Sequence, residues 1–261
     1  MNSIPIIGTA VVNSTYWVSK LIMSVDYPVD NFFIINNNGR GELDAELDNL
    51  KNLNKRFIKK ITITHLPSNI GCSGAWNLII KCYMNSPYWI IVNDDVTFGL
   101  GLLEEMATKA TANPDVGLIH GHAGEFNIGS WDLFLIRDYI IQNYGLFDEN
   151  LYPAYCEDAD YIMRFMHSPI NKIMSLDNTY YHGNAEKGNY ATHGSQTQKT
   201  EPELKEKLDT ANYMNIEYLN TKWGVGWREC CPSATPFTGT DSLISATRYD
   251  LNFVRKKNLG F

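Results

Sequence analysis

The chain has 261 residues, of which 44% are hydrophobic and 20% are charged, and its formal net charge is −7. This length suffices for one large domain or two small ones with a real core. The acidic balance argues against a general nucleic-acid binder, because the composition supplies no excess of cations to neutralise phosphates. No apolar run reaches the roughly 18 residues that a membrane-spanning helix needs.

The amino terminus and the cysteines favour an intracellular protein. The first five residues lack the basic start and long apolar region of a signal peptide. The five cysteines form no CxxC pair and are interpreted as reduced, mostly buried thiols. We therefore expect a soluble, cytoplasmic protein, and peripheral attachment to a membrane stays open.

Strands and helices alternate through the first hundred residues. The pattern predicts strands over 4–12, 31–35, 61–64 and from residue 88, separated by helices over 16–25, 42–57 and 75–83. Such alternation predicts an α/β fold with a parallel sheet and right-handed crossovers. The carboxyl ends of strands in such sheets are where nucleotides bind.

The second half of the chain is less regular. It predicts helices over 100–113, 137–144, 158–166 and 201–222, and strands over 116–120, 131–136 and 173–181. The polar, glycine-containing residues 183–200 predict a mobile loop.

Two adjacent acids end the most apolar predicted strand. The run from Tyr88 to Val92 is followed directly by Asn93, Asp94 and Asp95. Carboxylates at such a position are costly unless they are hydrogen-bonded, protonated or neutralised by a metal. Two interpretations stay open at this point, a turn that caps the next helix and a site for a divalent cation with a diphosphate.

A second acidic cluster begins a predicted helix. Glu157, Asp158 and Asp160 lie in its first turn, where carboxylates interact favourably with the helix dipole. Asp160 and Arg164 are i,i+4 neighbours and can pair. The aromatic stretch 152–155 before them favours a sugar site, in which a positioned carboxylate suits a general base.

The loop over 69–74 opens a helix and contains two glycines. Glycine lets backbone N–H groups approach a phosphate closely, and a helix N-terminus favours negative charge. The spacing matches neither the Walker A motif nor GxGxxG. A phosphate contact and a plain helix entry therefore both stay open.

Taken together and in order, these motifs resemble the GT-A glycosyltransferases, in particular the family 2-like inverting enzymes of the rhamnosyltransferase type. The landmarks of the resemblance are the segments 34–38, 69–77, 92–96, 145–149, 157–160 with Arg164, His182 and 218–224. It implies a GT-A, Rossmann-like, mostly parallel central sheet flanked by helices, with a smaller acceptor-side subsheet and a C-terminal helical extension. It also implies a nucleotide-sugar-binding half over 1–100, an acceptor-binding and catalytic half over 101–225, and a tail over 226–261.

The resemblance implies a role for each matched residue. Asp158 would be the catalytic base, and Asp95 and His182 would bind Mn²⁺ or Mg²⁺. The residues implied at the nucleotide sugar are Thr9, Val11, Asn36, Asn69, Gly71, Asn77 and Asp94. We also place Glu157, Tyr155 and Trp131 on the acceptor side. The chain departs from the DxD pattern at Asn93, and Asn36 stands where many members have an aspartate that reads the nucleobase.

The implied reaction moves a hexosyl or pentosyl group from a nucleotide-diphosphate donor, a UDP-sugar first, to a hydroxyl of a glycan acceptor with inversion. Two alternatives are a non-catalytic module that binds nucleotide sugars or glycans, and a sugar-phosphate nucleotidyltransferase. The second alternative expects a glycine-rich loop with Arg or Lys after the first strand, and residues 13–16 do not form one. We expect no nucleic-acid partner, and the oligomeric state stays open.

Overall fold

The computed structural model describes residues 3–121, 131–166, 172–183, 196 and 202–224. Its strands are β1 (Ile4–Val11), β2 (Val29–Asn36), β3 (Ile58–His65), β4 (Tyr88–Val92), β5 (Val96–Phe98), β6 (Leu118–His120), β7 (Leu133–Arg137), β8 (Ile173–Ser175) and β9 (Tyr180–His182). Its helices are α1 (Thr15–Met23), α2 (Asp44–Asn49), α3 (Gly71–Cys82), α4 (Leu102–Ala112), α5 (Asp138–Tyr144), α6 (Glu157–Met166) and α7 (Pro202–Trp223). Among these helices none is long and apolar enough to cross a bilayer.

Seven of the described strands form one sheet in the order β3-β2-β1-β4-β7-β6-β8. The first four are parallel, as the alternating pattern predicts. β7 runs antiparallel to both β4 and β6. A second sheet pairs β5 with β9 in antiparallel register. The predicted α/β fold, with a mostly parallel sheet and a smaller subsheet, is therefore confirmed.

Helices cover both faces of the large sheet. On one face the core includes Val18 of α1 and Met106 of α4. On the other face Ile79 of α3, Ile140 of α5 and Tyr161 of α6 pack together. Because both faces are covered, the central strands are continuous apolar runs instead of alternating ones.

Two predicted elements are wrong in extent. The helix predicted over 42–57 stops after α2 and one 3₁₀ turn over Leu50–Asn52. Asn54 there has a φ of +49°, and its side-chain amide donates to the carbonyls of Ile22 and Val25 at 2.8 Å. This anchoring to the end of α1 replaces further helical turns.

The strand predicted over 173–181 is two strands in different sheets. β8 adds to the large sheet beside β6, whereas β9 pairs with β5. Between them the backbone N–H groups of Asp177 and Asn178 donate to the carboxylate of Glu105 at 2.6 and 2.9 Å. The Glu105 carboxylate of α4 thus holds the turn at which the chain passes from one sheet to the other.

A fully buried group of charges fastens α7 to α6 and to the loop before it. Lys222 Nζ lies 2.7 Å from Asp148 Oδ2 and 2.6 Å from Asp160 Oδ1. Arg164 pairs with Asp160 at 3.0 Å, as the i,i+4 spacing predicts. Burial alone would raise the pKa of Asp160, but Lys222 and Arg164 outweigh it and lower that pKa. We call these four residues the α6–α7 charge cluster.

Removing one member of the α6–α7 charge cluster should be strongly destabilising. In Lys222→Met the carboxylates of Asp148 and Asp160 lose a buried partner, which we expect to lower the free energy of unfolding by about 3–5 kcal/mol. The control Lys205→Met removes an exposed pair with Asp209 and should cost less than about 1 kcal/mol. Urea unfolding of both variants measures the difference, and equal costs would contradict the structural role of the cluster.

Candidate active site

The site begins at the acids that follow β4. Asp94 and Asp95 are both buried in a tight turn between β4 and β5. The turn is held by the Asn93 N–H, which donates to the Asp132 carbonyl at 2.8 Å, and by the Val96 N–H on the Asn93 carbonyl at 3.2 Å. Burial raises the pKa of Asp94 well above its usual range, and the neighbouring Asp95 raises it further. Two carboxylates are thus held together at the carboxyl end of a central strand.

His182 is brought to this pair by the second sheet. In the β5–β9 register it lies opposite Val96, and its Nε2 is 3.2 Å from Asp95 Oδ1. Its Nδ1 is 3.1 Å from Asp132 Oδ2. Burial alone would lower the pKa of His182, but Asp132 and Asp95 outweigh it and raise that pKa to about 10.

Backbone groups complete the surroundings of Asp95. The Gly183 N–H donates to its carbonyl at 2.8 Å, and the Gln196 N–H donates to its Oδ2 at 2.7 Å. Apart from these two residues, the predicted mobile loop over 183–200 lies outside the described residues. Gly183 and Gln196 therefore both contact Asp95.

The oxygen and imidazole donors here are of the kinds that Mn²⁺ and Mg²⁺ accept. Two ligands held at about 2.1 Å from one ion at a right angle are about 3 Å apart, close to the separation of Asp95 Oδ1 and His182 Nε2. Within the described residues no group of three or more His, Cys, Asp or Glu side chains could hold a metal ion. A cation held by Asp95 and His182 would take the place of the proton on the histidine and would receive its other ligands from a diphosphate and water.

Thr9, Val11 and Asn36 lie together at the carboxyl ends of β1 and β2. Thr9 is opposite Ile34 in the register, and Val11 is opposite Asn36. The buried Oγ1 of Thr9 has no hydrogen-bond partner among the described residues. The Asn36 amide donates to Asp44 Oδ1 at 2.7 Å, so its donor already has an internal partner. Their contact with a nucleobase stays a prediction.

The helix entry at 69–71 has a structural explanation. Asn69 Oδ1 accepts the Gly71 N–H at 2.8 Å. Gly71 has a φ of +77°, and a Cβ on it would lie 2.9 Å from the Tyr152 ring and 3.0 Å from the Pro153 carbonyl. Glycine is thus required for backbone conformation and for packing against residues 152–153. A phosphate contact of Asn69 or Gly71 stays a prediction.

Asn77 faces the loop before α6. Its amide nitrogen donates to the Phe147 carbonyl at 2.9 Å and to Glu149 Oε1 at 2.8 Å, and its oxygen accepts the Phe147 N–H. The buried side chain therefore links α3 to this loop, and nucleotide contact is a prediction that would have to replace these bonds.

Trp131 lies in an aromatic cluster one residue before Asp132. Its ring stacks on Trp76 at 6.2 Å between centroids and packs against Phe134 at 4.7 Å and His120 at 5.1 Å. It is largely buried in this cluster. Its acceptor-side role stays a prediction.

The second acidic pair is held at the start of α6. Tyr155 and Cys156, with φ values of +76° and +72°, lead the chain into Glu157 and Asp158. Asn215 of α7 donates its amide to the carbonyls of residues 154 and 155 at 2.9 and 3.1 Å. The C-terminal helix therefore holds the strained approach to the predicted base.

Burial makes both carboxyls of this pair more basic. It raises the pKa of Asp158, whose Oδ1 accepts the Ala159 N–H at 2.7 Å. It raises the pKa of Glu157 to about 8, with a further contribution from Asp158. The Cys72 thiol beside Glu157 also has a pKa well above its usual range, because of its burial and the carboxyl. Two carboxyls with raised pKa values thus lie side by side at the start of α6.

The comparison with protein families decides the identity of the fold. The model described as "Glycosyl transferase family 2" matches residues 16–172, more than half of the chain. The chain belongs to glycosyl transferase family 2. The resemblance drawn from the sequence motifs is confirmed, and this family 2 chain is an enzyme of the glycosyltransferase class.

Among curated proteins, the chain is 24% identical to a galactofuranosyl glycosyltransferase of Leishmania donovani over 87% of the chain and 69% of that protein. Among solved structures it is similar to TarS of S. aureus, with 13% identity and a TM-score of 0.54 over 70% of the chain. It is equally similar to the mannosyltransferase PcManGT of Pyrobaculum calidifontis, in complex with GDP-Man and Mn²⁺, with 12% identity over 67% of the chain and a TM-score of 0.54. It spans 37% of that TarS chain and 55% of PcManGT, and this likeness shows the GT-A fold.

The sequence missed one residue of the site. Asp132 is a single acid before a strand, and no motif marks it. The pairing of β7 with β4 and its contact with His182 place it here. The one signal in the sequence was the strand predicted to begin at Trp131. It could have indicated that Asp132 lies opposite the Asp94–Asp95 turn.

The raised pKa of Glu157 predicts a pH dependence of stability. Its pKa is about 8 in the folded chain, whereas the ordinary value is 4.5. The free energy of unfolding therefore falls as the pH rises from 4.5 to 8. Glu157→Gln cannot ionise. We expect its stability relative to the native chain to rise by more than about 1 kcal/mol between pH 5 and pH 8. Urea unfolding at both values measures this, with the exposed Glu206→Gln as control. A pH-independent difference would contradict the assignment.

Proposed function

We propose that the chain is a metal-dependent, inverting glycosyltransferase that moves a sugar from a nucleotide-diphosphate donor to a hydroxyl of a glycan. The observation that carries the proposal is the set of donor groups after β4. The carboxylates of Asp95 and Asp132 lie 3.2 and 3.1 Å from the two ring nitrogens of His182, and the buried Asp94 is next to Asp95. Carboxylate and imidazole groups are ligands that a divalent cation accepts, and such a cation would stabilise the leaving diphosphate.

The protein groups divide the remaining work. Asp158 takes the proton of the acceptor hydroxyl while that oxygen attacks the anomeric carbon. The bond from this carbon to the diphosphate oxygen breaks, and the nucleoside diphosphate leaves with the electron pair. No covalent enzyme intermediate forms, so the configuration inverts. Asp94 contacts the donor, and Glu157, Tyr155 and Trp131 lie on the acceptor side.

UDP is the nucleotide that we propose first. Solved TarS structures contain UDP and UDP-GlcNAc, and the PcManGT structure contains GDP-Man with Mn²⁺. The Leishmania relative is named for galactofuranosyl transfer, so a nucleotide-activated galactofuranose belongs among the donors to be tested. The donor pocket we propose comprises Thr9, Val11, Asn36, Asn69, Gly71 and Asn77.

The metal should strengthen binding of the donor. With 1 mM Mn²⁺, UDP or UDP-GlcNAc at 100 times its Kd should stabilise the native chain by about 2.7 kcal/mol, whereas either nucleotide without metal should do much less. Thermal-shift assays with UDP-, GDP- and galactofuranose donors measure this. Stabilisation by GDP-Man alone would replace UDP by GDP, and metal-independent stabilisation would contradict the metal site.

Asp158→Asn should slow transfer strongly and leave donor binding intact. Loss of a general base costs typically 10²–10⁴-fold in rate, so kcat should fall by at least about 100-fold while the thermal shift with Mn²⁺ and donor persists. The matched control is Asp209→Asn, an exposed acid on α7, which should keep the native rate. Full activity of Asp158→Asn would exclude it as the base. Donor binding without transfer or hydrolysis in the native chain would favour the non-catalytic module.

A further inference from the structure

Asp132 lies where the two sheets of the molecule meet. It directly precedes β7, and its carbonyl accepts the Asn93 N–H at 2.8 Å, so its backbone is joined to the turn that carries Asp94 and Asp95. Its side chain points toward β9 and is largely buried, with 7% of the residue exposed. The residue thus belongs to the surroundings of the proposed metal site and to no part of the proposed catalytic chemistry.

Both oxygens of the Asp132 carboxylate lie close to side chains of β9. Oδ1 accepts the hydroxyl of Tyr180 at 2.7 Å, and Oδ2 lies 3.1 Å from Nδ1 of His182. The contacts form a line from Tyr180 through Asp132 and His182 to Asp95, whose Oδ1 is 3.2 Å from the other ring nitrogen.

Gly121 leaves the space that the Tyr180 ring occupies. A Cβ on Gly121 would lie 2.3 Å from Cε1 of the Tyr180 ring, and the backbone N–H of Gly121 is bonded to the Leu133 carbonyl at 2.8 Å. A larger residue at 121 would therefore displace the tyrosine that fixes Asp132. The position of the carboxylate is determined from both sides.

We propose that Asp132 is a positioning residue that orients the His182 ring so that Nε2 faces Asp95 and a cation bound there. The inference rests on the proposed function. A histidine that binds a metal through one nitrogen characteristically donates its other N–H to a carboxylate, which sets the orientation of the ring. The Asp132 carboxylate occupies this place, and its second oxygen is in turn held by Tyr180. Asp132 itself does not touch the donor.

The test measures Mn²⁺ affinity directly. Free Mn²⁺ is followed by electron paramagnetic resonance in titrations of the chain with saturating UDP, and UDP binding without metal is measured separately by calorimetry. The variants are Asp132→Ala, Asp132→Asn and Tyr180→Phe. Asp95→Asn removes a proposed ligand. Asp115→Asn is the matched control, because this exposed acid pairs only with Lys172 among the ion pairs of the described residues.

Asp132→Ala should weaken Mn²⁺ binding by roughly 10–100-fold, the usual effect of losing such a partner, and leave UDP binding without metal unchanged. Asp132→Asn keeps an acceptor oxygen and should recover part of the loss. Tyr180→Phe should weaken binding less than Asp132→Ala, and Asp115→Asn should not change it. If Asp132 had a merely structural role, Asp132→Ala would lower stability and would weaken Mn²⁺ binding and UDP binding to a similar extent.

Two results would overturn the inference in distinguishable ways. If Asp95→Asn loses Mn²⁺ while both Asp132 variants bind it within twofold of the native chain, the positioning role is wrong and the metal site stands. If the native chain binds no Mn²⁺ with UDP or GDP, the metal-dependent function and the inference both fail. If Asp132→Ala does not fold, the Mn²⁺ affinity of Asp132→Asn alone tests the positioning role, with the same twofold limit.

Discussion

The backbone pairing of β4 determines where the groups of the candidate site lie. β4 is buried, and its polar backbone groups are paired on both sides, in parallel with β1 and antiparallel with β7. Satisfying these groups is obligatory in a dry interior. The parallel neighbour aligns the carboxyl ends of β1 and β4. The antiparallel neighbour brings the start of β7, with Trp131 and Asp132, against the turn that holds Asp94 and Asp95.

The molecule treats its two sets of buried charge differently. In the α6–α7 charge cluster each carboxylate meets a lysine or an arginine within the chain, and the cluster holds two helices together. After β4 the carboxylates meet one another and a histidine. Like charges buried side by side oppose ionisation, and strongly perturbed pKa values of this kind cluster at functional sites. The cluster that holds α7 and the acids after β4 thus have partners of different kinds.

The charge cluster is also connected to the second acidic pair, Glu157 and Asp158. Asp160 belongs to the charge cluster and lies only two residues after Asp158 on α6. Asn215 of α7 holds the carbonyls of residues 154 and 155, which precede the two positive-φ residues at the helix entry. The proposed base therefore sits on a helix that is fixed from beneath by α7. A site built on rigid elements needs less reorganisation during reaction.

The parallel first half and the Asp160–Arg164 pair were predicted from the sequence, because local periodicity and i,i+4 spacing are properties of short segments, and the family was predicted from the resemblance of the ordered motifs. The fold was needed to show that the 42–57 helix stops early, that 173–181 divides between two sheets, and that Asp132 contacts His182 beside Asp95. Each of these depends on contacts between residues far apart in the chain, such as Asn54 with Ile22 and Glu105 with Asp177. Such contacts leave no periodic signal, since the partner's position is set by the packing of the whole sheet.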